Sequence, residues 1–202
     1  MSVRDAAVTV EWPTRADGHA YLEVHSLAEA VMRLGGAVGF RGVPSRVDIE
    51  DWLDGVLERV AQGVAELATV RVGADLVALG RWERYEGPLV AVNADIRQVM
   101  VHPRARGRGI ATVLVSALID RAREQRVETL TLDVRGNNHV ARALYEGLGF
   151  EVCGLLPDFV AVGRERFDRV NYRLDLRGPD ADVVRHGSRP EGAGAAPIDR
   201  PS

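Results

Sequence analysis

The chain has 202 residues, 46% hydrophobic and 27% charged, which suits one domain with a sizeable core and is too short for two ordinary ones. A net charge of −3 excludes the strongly basic footprint of a general nucleic-acid binder, so no nucleic-acid partner is expected. No stretch approaches the roughly 20 apolar residues of a spanning helix, and the opening MSVRDAAVTV lacks a basic run before an apolar core, so no membrane partner and a cytoplasmic location are expected.

Residues 5–12 alternate through Val8, Val10 and Trp12 and read as a first strand, ended by Pro13. A helix follows from about His19 to Leu34 and stops at Gly35-Gly36, and a second begins after Pro44-Ser45, with Ser45 capping and Asp48 three residues on. Ile49, Leu53, Val56, Leu57 and Val60 give that second helix its apolar face. Val64–Val72 and Asp75–Trp82 are β-rich runs around Gly73-Ala74 and predict a hairpin; Leu89–Val101 predicts a third apolar strand. The stretch HPRARGRGIATVLVSALIDRAREQ then runs a glycine-rich basic turn into an amphipathic helix, with Ile110, Val113, Leu114, Ala117 and Leu118 as its buried stripe. Val127–Val134 reads as a strand, Asn138–Leu148 as a helix with Ala141, Leu144, Tyr145 and Leu148 on one face, Phe150–Leu155 as a strand and Asp168–Leu176 as the last one. Strand and helix alternation after residue 90 implies an α/β layer with at least one parallel pair, and the earlier strands an antiparallel meander, together a mixed sheet. Residues 1–176 are expected to form the domain, and the Gly-, Pro- and Ala-rich residues 177–202 a disordered tail.

Composition narrows the chemistry. Cys153 is the sole cysteine and reads as core, the five histidines show no H-E-x-x-H spacing, and no metal is expected. All 26 basic residues are arginine, which excludes a Walker A lysine, a Schiff-base lysine and the usual kinase ion pair. No G-x-S-x-G elbow occurs.

Arg104, Arg106 and Arg108 interleave with Gly107 and Gly109 directly before Ile110 and Ala111, where a helix begins after a strand. Free backbone N–H groups, the helix dipole and glycines without a Cβ make such a segment a cradle for a pyrophosphate. A solvated basic turn is the plainer alternative, and a Rossmann fingerprint fails on spacing and on its late place in the chain.

Arg104-x-x-Gly107-x-Gly109, followed downstream by Asn138, Ala141, Leu144, Tyr145, Gly149 and Phe150 in the order N-x-x-A-x-x-L-Y-x-x-x-G-F, resembles the GNAT superfamily of N-acetyltransferases. The two motifs cover residues 95–154, and the predicted element order extends the likeness over about residues 5–176. More narrowly, GAVGFRGVP (36–44), ADIRQVMVHPRARGRGI (94–110) and GLLPDF (154–159) look like the tabtoxin-resistance type. The resemblance implies a GNAT fold, a mixed sheet of about seven strands flanked by about four helices, with acetyl-CoA as cosubstrate. It further implies transfer of acetyl to a primary amine, by direct attack in a ternary complex, on a small amino-acid-like molecule, toxin or antibiotic. A protein N-terminus or a non-catalytic acyl-CoA-binding module is the alternative, and the family's habit allows a homodimer.

Backbone groups of Val99, Met100 and Val101 would then meet the pantetheine arm, as the resemblance implies. Tyr145 is the candidate proton donor to the departing thiolate, with a plain core tyrosine as the competing reading. Asp95 stands where many relatives carry glutamate and is the candidate base, one methylene shorter and so acting through a water. Alternation along the strand places Asp95, Arg97, Val99 and Val101 on one face, so a strand-end carboxylate paired to Arg97 fits equally. Glu83 and His102 are reserves. Asn138 either contacts the cofactor or caps the helix that follows.

Overall fold

A computed structural model describes residues 7–36, 39–40 and 42–178. Its elements run β1 (Val8–Glu11), α1 (Gly18–Met32), α2 (Arg46–Ala61), β2 (Ala65–Val72), β3 (Asp75–Arg84), β4 (Asn93–Val101), α3 (Ile110–Glu124), β5 (Thr129–Arg135), α4 (His139–Gly147), β6 (Glu151–Val162) and β7 (Glu165–Asp175). They form the mixed seven-stranded sheet expected, in the order β1-β2-β3-β4-β5-β7-β6, antiparallel except between β4 and β5.

Local chemistry sets the helix starts. Asp17 caps α1 by accepting from the His19 and Ala20 N–H groups, and Ser45 with Asp48 closes a full capping box on α2, as its sequence signature predicts. The apolar faces of α1 and α2 cover one side of the sheet, where Val24, Leu27, Ile49 and Leu53 pack with Leu67, Leu79 and Met100. Helix α3 lies on the other side, across β1–β4, burying Ile110, Leu114, Val115, Leu118, Ile119 and Ala122, with Tyr145 of α4 joining the same cluster. Gly80 on β3 makes the close fit possible: a Cβ there would stand 3.2 Å from both Leu114 Cδ2 and Leu118 Cδ1.

Four expectations are corrected. The run Leu89–Val92 is turn, not strand: the chain folds back through N–H bonds from Val90 and Ala91 to the Gly87 carbonyl, Leu89 is exposed, and β4 starts at Asn93. The stripe of α3 is rotated, because two sheet-facing rows (114/118 and 115/119/122) fill the space and leave Val113 outside. Cys153 is exposed, since β6 is the sheet edge with mostly open faces. Arg177, expected in the tail, is held by Asp175 at 2.7 Å; residues 179–202 of that tail lie outside the described residues.

Candidate functional site

The sheet parts at its parallel pair. Register between β4 and β5 runs only from Asn93–Thr129 to Asp95–Thr131, while β4 stays paired to β3 as far as Val101 and β5 to β7 as far as Arg135. Beyond Asp95 the two central strands therefore diverge, and backbone of β4 loses its partner on that side.

A bulge sits at this opening. Gln98 has φ +47°, and the β3–β4 register slips by one residue between Leu79–Met100 and Arg81–Arg97. The extra residue reverses the alternation: Asp95 and Arg97 lie on the α1/α2 side, whereas Val99 and Val101 pack into the α3 cluster. The single face expected for Asp95, Arg97, Val99 and Val101 is thus corrected. Met100 points its buried side chain into the α1/α2 core, so it can offer a ligand only main-chain groups. The Gln98 side chain is pinned, its Oε1 accepting from Arg81 Nε at 2.6 Å, with Gly39 of the α1–α2 connection close to its amide. Arg135 reaches from β5 to the Gly35 carbonyl at 3.4 Å, so that connection lies over the C-terminal end of the opening.

At the mouth, the chain leaves β4 through His102 and a 3-10 turn at Pro103–Ala105 into α3. Gly107 and Gly109 have φ +72° and +75°, a conformation in which an L side chain is strained. A Cβ at either would meet nothing within 4 Å, so it is backbone shape, not crowding by the protein, that requires glycine. Gly109 is the N-cap of α3 and supplies no side-chain acceptor, which leaves the first N–H groups of Ile110, Ala111 and Thr112 open. Ile110 is buried and contributes only its N–H. The Arg106 guanidinium bonds the Val101 carbonyl at 3.3 Å; Arg104 and Arg108 are exposed and form no side-chain hydrogen bond or ion pair among the described residues. Burial, and then the charges of Arg104 and Arg106, hold His102 below its usual range, and its Nδ1 accepts from the Arg104 N–H at 3.1 Å. Uncapped N–H groups, a helix dipole and unpaired guanidinium groups converge here, which is the chemistry of an anion site.

Helix α4 follows β5 and packs through Tyr145 on the α3 side of the sheet. Asn138 caps it, Oδ1 accepting from Ala141 N–H at 3.2 Å, which commits one lone pair of its carbonyl oxygen to the helix and leaves its NH₂ and the second lone pair for another partner. Tyr145 is 6% exposed and packs edge-on against Phe150, centroids 5.7 Å apart. Both sequence readings of Tyr145 meet here: the ring is core, yet the hydroxyl has no hydrogen bond among the described residues. Burial, and behind it the Asp133 carboxylate, push its phenol well above the usual value, so it stays protonated and keeps an O–H to donate.

Asp95 lies on the floor of the opening, its side chain 17% exposed, with Oδ1 accepting from Thr131 Oγ1 at 2.7 Å and Oδ2 from Arg97 Nε at 2.9 Å. Glu83, its direct cross-strand neighbour, is taken by Arg81 and Arg59. Arg81, Gln98 and Thr131 were not singled out from the sequence; the charged R-W-E-R run inside an otherwise apolar strand was the available signal for Arg81.

These features define an α/β protein whose sheet opens between its parallel strands beside an anion-attracting helix start. The chain belongs to the GNAT acetyltransferase family, whose model matches residues 50–150. It is similar to the L-methionine sulfoximine/L-methionine sulfone acetyltransferase of Pseudomonas aeruginosa, 29% identical over 109 residues, 52% of this chain and 60% of that protein. It is also similar to the ribosomal protein bS18-alanine N-acetyltransferase of Salmonella typhimurium, 40% identical over 88 residues, 44% and 60% of the two chains. The chain thus spans 60% of the length of these curated relatives. Among solved structures, an N-acetyltransferase from Staphylococcus aureus superposes with TM-score 0.73 at 15% identity, over 85% of this chain and 100% of that one. The yncA protein of Salmonella typhimurium, solved with its cofactor acetyl-CoA, gives 0.72 at 21%, over 87% and 99%. Both share the fold. Among the described residues, no helix is long and apolar enough to cross a membrane, and no group of three or more His, Cys, Asp or Glu is placed to hold a metal ion.

Proposed function

We propose that the chain is an acetyl-CoA-dependent N-acetyltransferase acting on the primary amine of a small molecule. The observation that carries this reading is the uncapped, glycine-shaped start of α3 at the mouth of the β4–β5 opening. The fit is favourable: Gly107 and Gly109 leave open space where a pyrophosphate would lie, and Arg104 and Arg108 are unengaged beside it. Ile110, Ala111 and Thr112 N–H groups, with these guanidinium groups, would hold the phosphates, and main-chain groups of Val99–Val101 the pantetheine arm.

Bound acetyl-CoA supplies a thioester whose C–S bond breaks as the amine forms a C–N bond. The chain's own residues meet the remaining needs. An amine attacks only when neutral, and Asp95 would accept its proton through a water, each carboxylate oxygen keeping a lone pair beyond those given to Thr131 and Arg97. Tyr145 would donate a hydrogen bond to the departing sulfur. With its phenol raised above a thiol of ordinary pKa about 8.5, it stabilises the charge without having to surrender its proton. Pinned by Arg81, the Gln98 bulge fixes which β4 main-chain groups face the opening.

The sulfoximine acetyltransferase relative favours an amino-acid-like acceptor; the 40% likeness to a bS18-alanine N-acetyltransferase is what favours a protein N-terminus as second reading. Coenzyme A release by the purified chain, against amino acids, polyamines, aminoglycosides and short peptides, tests the proposal. Release with small amines supports it, release with peptides alone moves the acceptor to a protein, and binding of acetyl-CoA without release on any amine leaves a non-catalytic module.

A further inference from the structure

The face of the sheet beneath α1 and α2 carries a block of charge that the transfer chemistry does not use. In the β3–β4 register Arg81 stands directly opposite Arg97, and Glu83 directly opposite Asp95. Like charges facing each other across strands are unfavourable. Each is relieved along its own strand instead, Arg81 Nη1 bonding Glu83 and Arg97 Nε bonding Asp95. Both guanidinium groups therefore fall on the side of the Gln98 bulge and both carboxylates on the other.

The two arginines are incompletely satisfied. Arg81 is 7% exposed, gives Nε to Gln98 and Nη1 to Glu83, and has no hydrogen-bond partner for Nη2 among the described residues. Arg97 has a half-exposed side chain, uses only Nε, and keeps both terminal nitrogens unbonded among the described residues. Arg81 has the Glu83 carboxylate on one side and faces the Arg97 guanidinium on the other, and burial, with the Arg97 and Arg59 charges behind it, pulls Arg81 down against the opposing effect of Glu83. Arg97 adjoins the bulge, at the edge where β4 and β5 part.

We infer that Arg97, backed by Arg81, binds a carboxylate on the amine acceptor, so that the acceptor is a free α-amino acid or close analogue rather than a polycation or a peptide N-terminus. This rests on the proposed acetyl transfer. The placement suits it: Arg97 Nε bonds Asp95 Oδ2 at 2.9 Å, so the unbonded terminal nitrogens of Arg97 stand beside the candidate base, and a molecule with a carboxylate and an amine on one carbon can set the carboxylate on those nitrogens by charge-assisted hydrogen bonds while its amine faces the water on Asp95. The planar fork of an arginine matches a carboxylate in two parallel bonds, which a lysine would not. A polyamine or aminoglycoside would bring more positive charge to the arginine side, and an N-terminal residue in a peptide lacks the carboxylate.

The test is coenzyme A release by the full chain with L-methionine sulfone, its carboxamide, the corresponding amine without the carboxyl group, and spermidine, for the unsubstituted chain and for Arg97→Gln and Arg97→Lys. Arg97 is half-exposed, so both variants are expected to fold, and equal melting temperatures establish it. The expected result is a kcat/KM at least tenfold higher for the free acid than for its carboxamide, with Arg97→Gln collapsing that ratio mainly through KM and Arg97→Lys restoring it in part. An unsubstituted chain that prefers the carboxamide or spermidine, or a ratio unmoved by Arg97→Gln, overturns the inference while leaving acetyl transfer standing. Release with none of the four and none of the wider amine panel overturns both.

Discussion

Replacing Gly109 separates backbone shape from anion binding, because the two predict opposite orders for the same pair of variants. The residue sits at φ +75°, and a Cβ there meets nothing within 4 Å among the described residues, so the cost to the free chain is conformational. An L residue held in this region costs about 1–2 kcal/mol, worth roughly 2–8 °C in melting temperature for a domain of this size. Gly109→Gln should show that full loss. Gly109→Glu should be the more stable of the two by about 0.3–1 kcal/mol, since a carboxylate at a helix N-terminus complements the dipole. Binding reverses the order. A carboxylate about 5 Å from a phosphate is repelled by about 0.8 kcal/mol at a dielectric constant of about 80 and about 3.3 kcal/mol at about 20, so Gly109→Glu should bind acetyl-CoA about fourfold to about two hundredfold more weakly than Gly109→Gln. Thermal unfolding without ligand and titration calorimetry at low salt read the two quantities. Equal affinities of the glutamate and glutamine variants, or native affinity in both, refute the pyrophosphate site at the start of α3.

Tyr145→Phe removes a hydroxyl that has no hydrogen-bond partner among the described residues, so the melting temperature should stay within about 2 °C while kcat falls by about 10²-fold or more at little-changed acetyl-CoA affinity; unimpaired turnover returns the residue to the core. Glu23 tests the ion pairing that ties α1 to β2: its carboxylate accepts from both terminal nitrogens of Arg71, at 2.8 and 2.6 Å, and these bonds hold its pKa below the usual value. A depressed carboxyl stabilises the fold above its ordinary pKa and ceases to as pH falls through the folded value. Glu23→Gln should therefore lose about 1.5–3 kcal/mol in urea unfolding at pH 7, and the gap to the unsubstituted chain should close below about pH 4. A gap independent of pH would mean that the pair's charge contributes nothing.

The sequence was most readable where one local pattern decides the outcome. Ser45 and Asp48 predict their capping box because both partners lie within one turn, and the β2–β3 hairpin follows from Gly73-Ala74 between two β-rich runs. Periodicity failed where tertiary structure interrupts it. A bulged strand reads like a regular one, so nothing in I-R-Q-V-M-V announces that Gln98 flips the faces of the residues after it. Leu89–Val92 is apolar enough for a strand, yet the bonds to Gly87 turn it. Motif spacing located the glycine-rich loop and Tyr145 without showing that Asn138 spends its carbonyl on a cap or that Asp95 is shared by Thr131 and Arg97. Arg81 stayed invisible because a charged residue in a strand is ordinarily a surface residue.

The brief ladder between β4 and β5 has a mechanical consequence. Main-chain pairing divides the sheet into an amino-terminal block, β1 to β4, and a carboxy-terminal block, β5 to β7, whose seam is zipped over the short stretch from Val92 to Asp95, with α3 lying across the first block as a brace. A ligand lying in the unzipped part would act as a surrogate strand, meeting backbone groups that the sheet leaves unmet and tying two cooperative units into one. Its binding energy would then stiffen the whole molecule, because whatever grips both sides of a seam raises the cost of opening it.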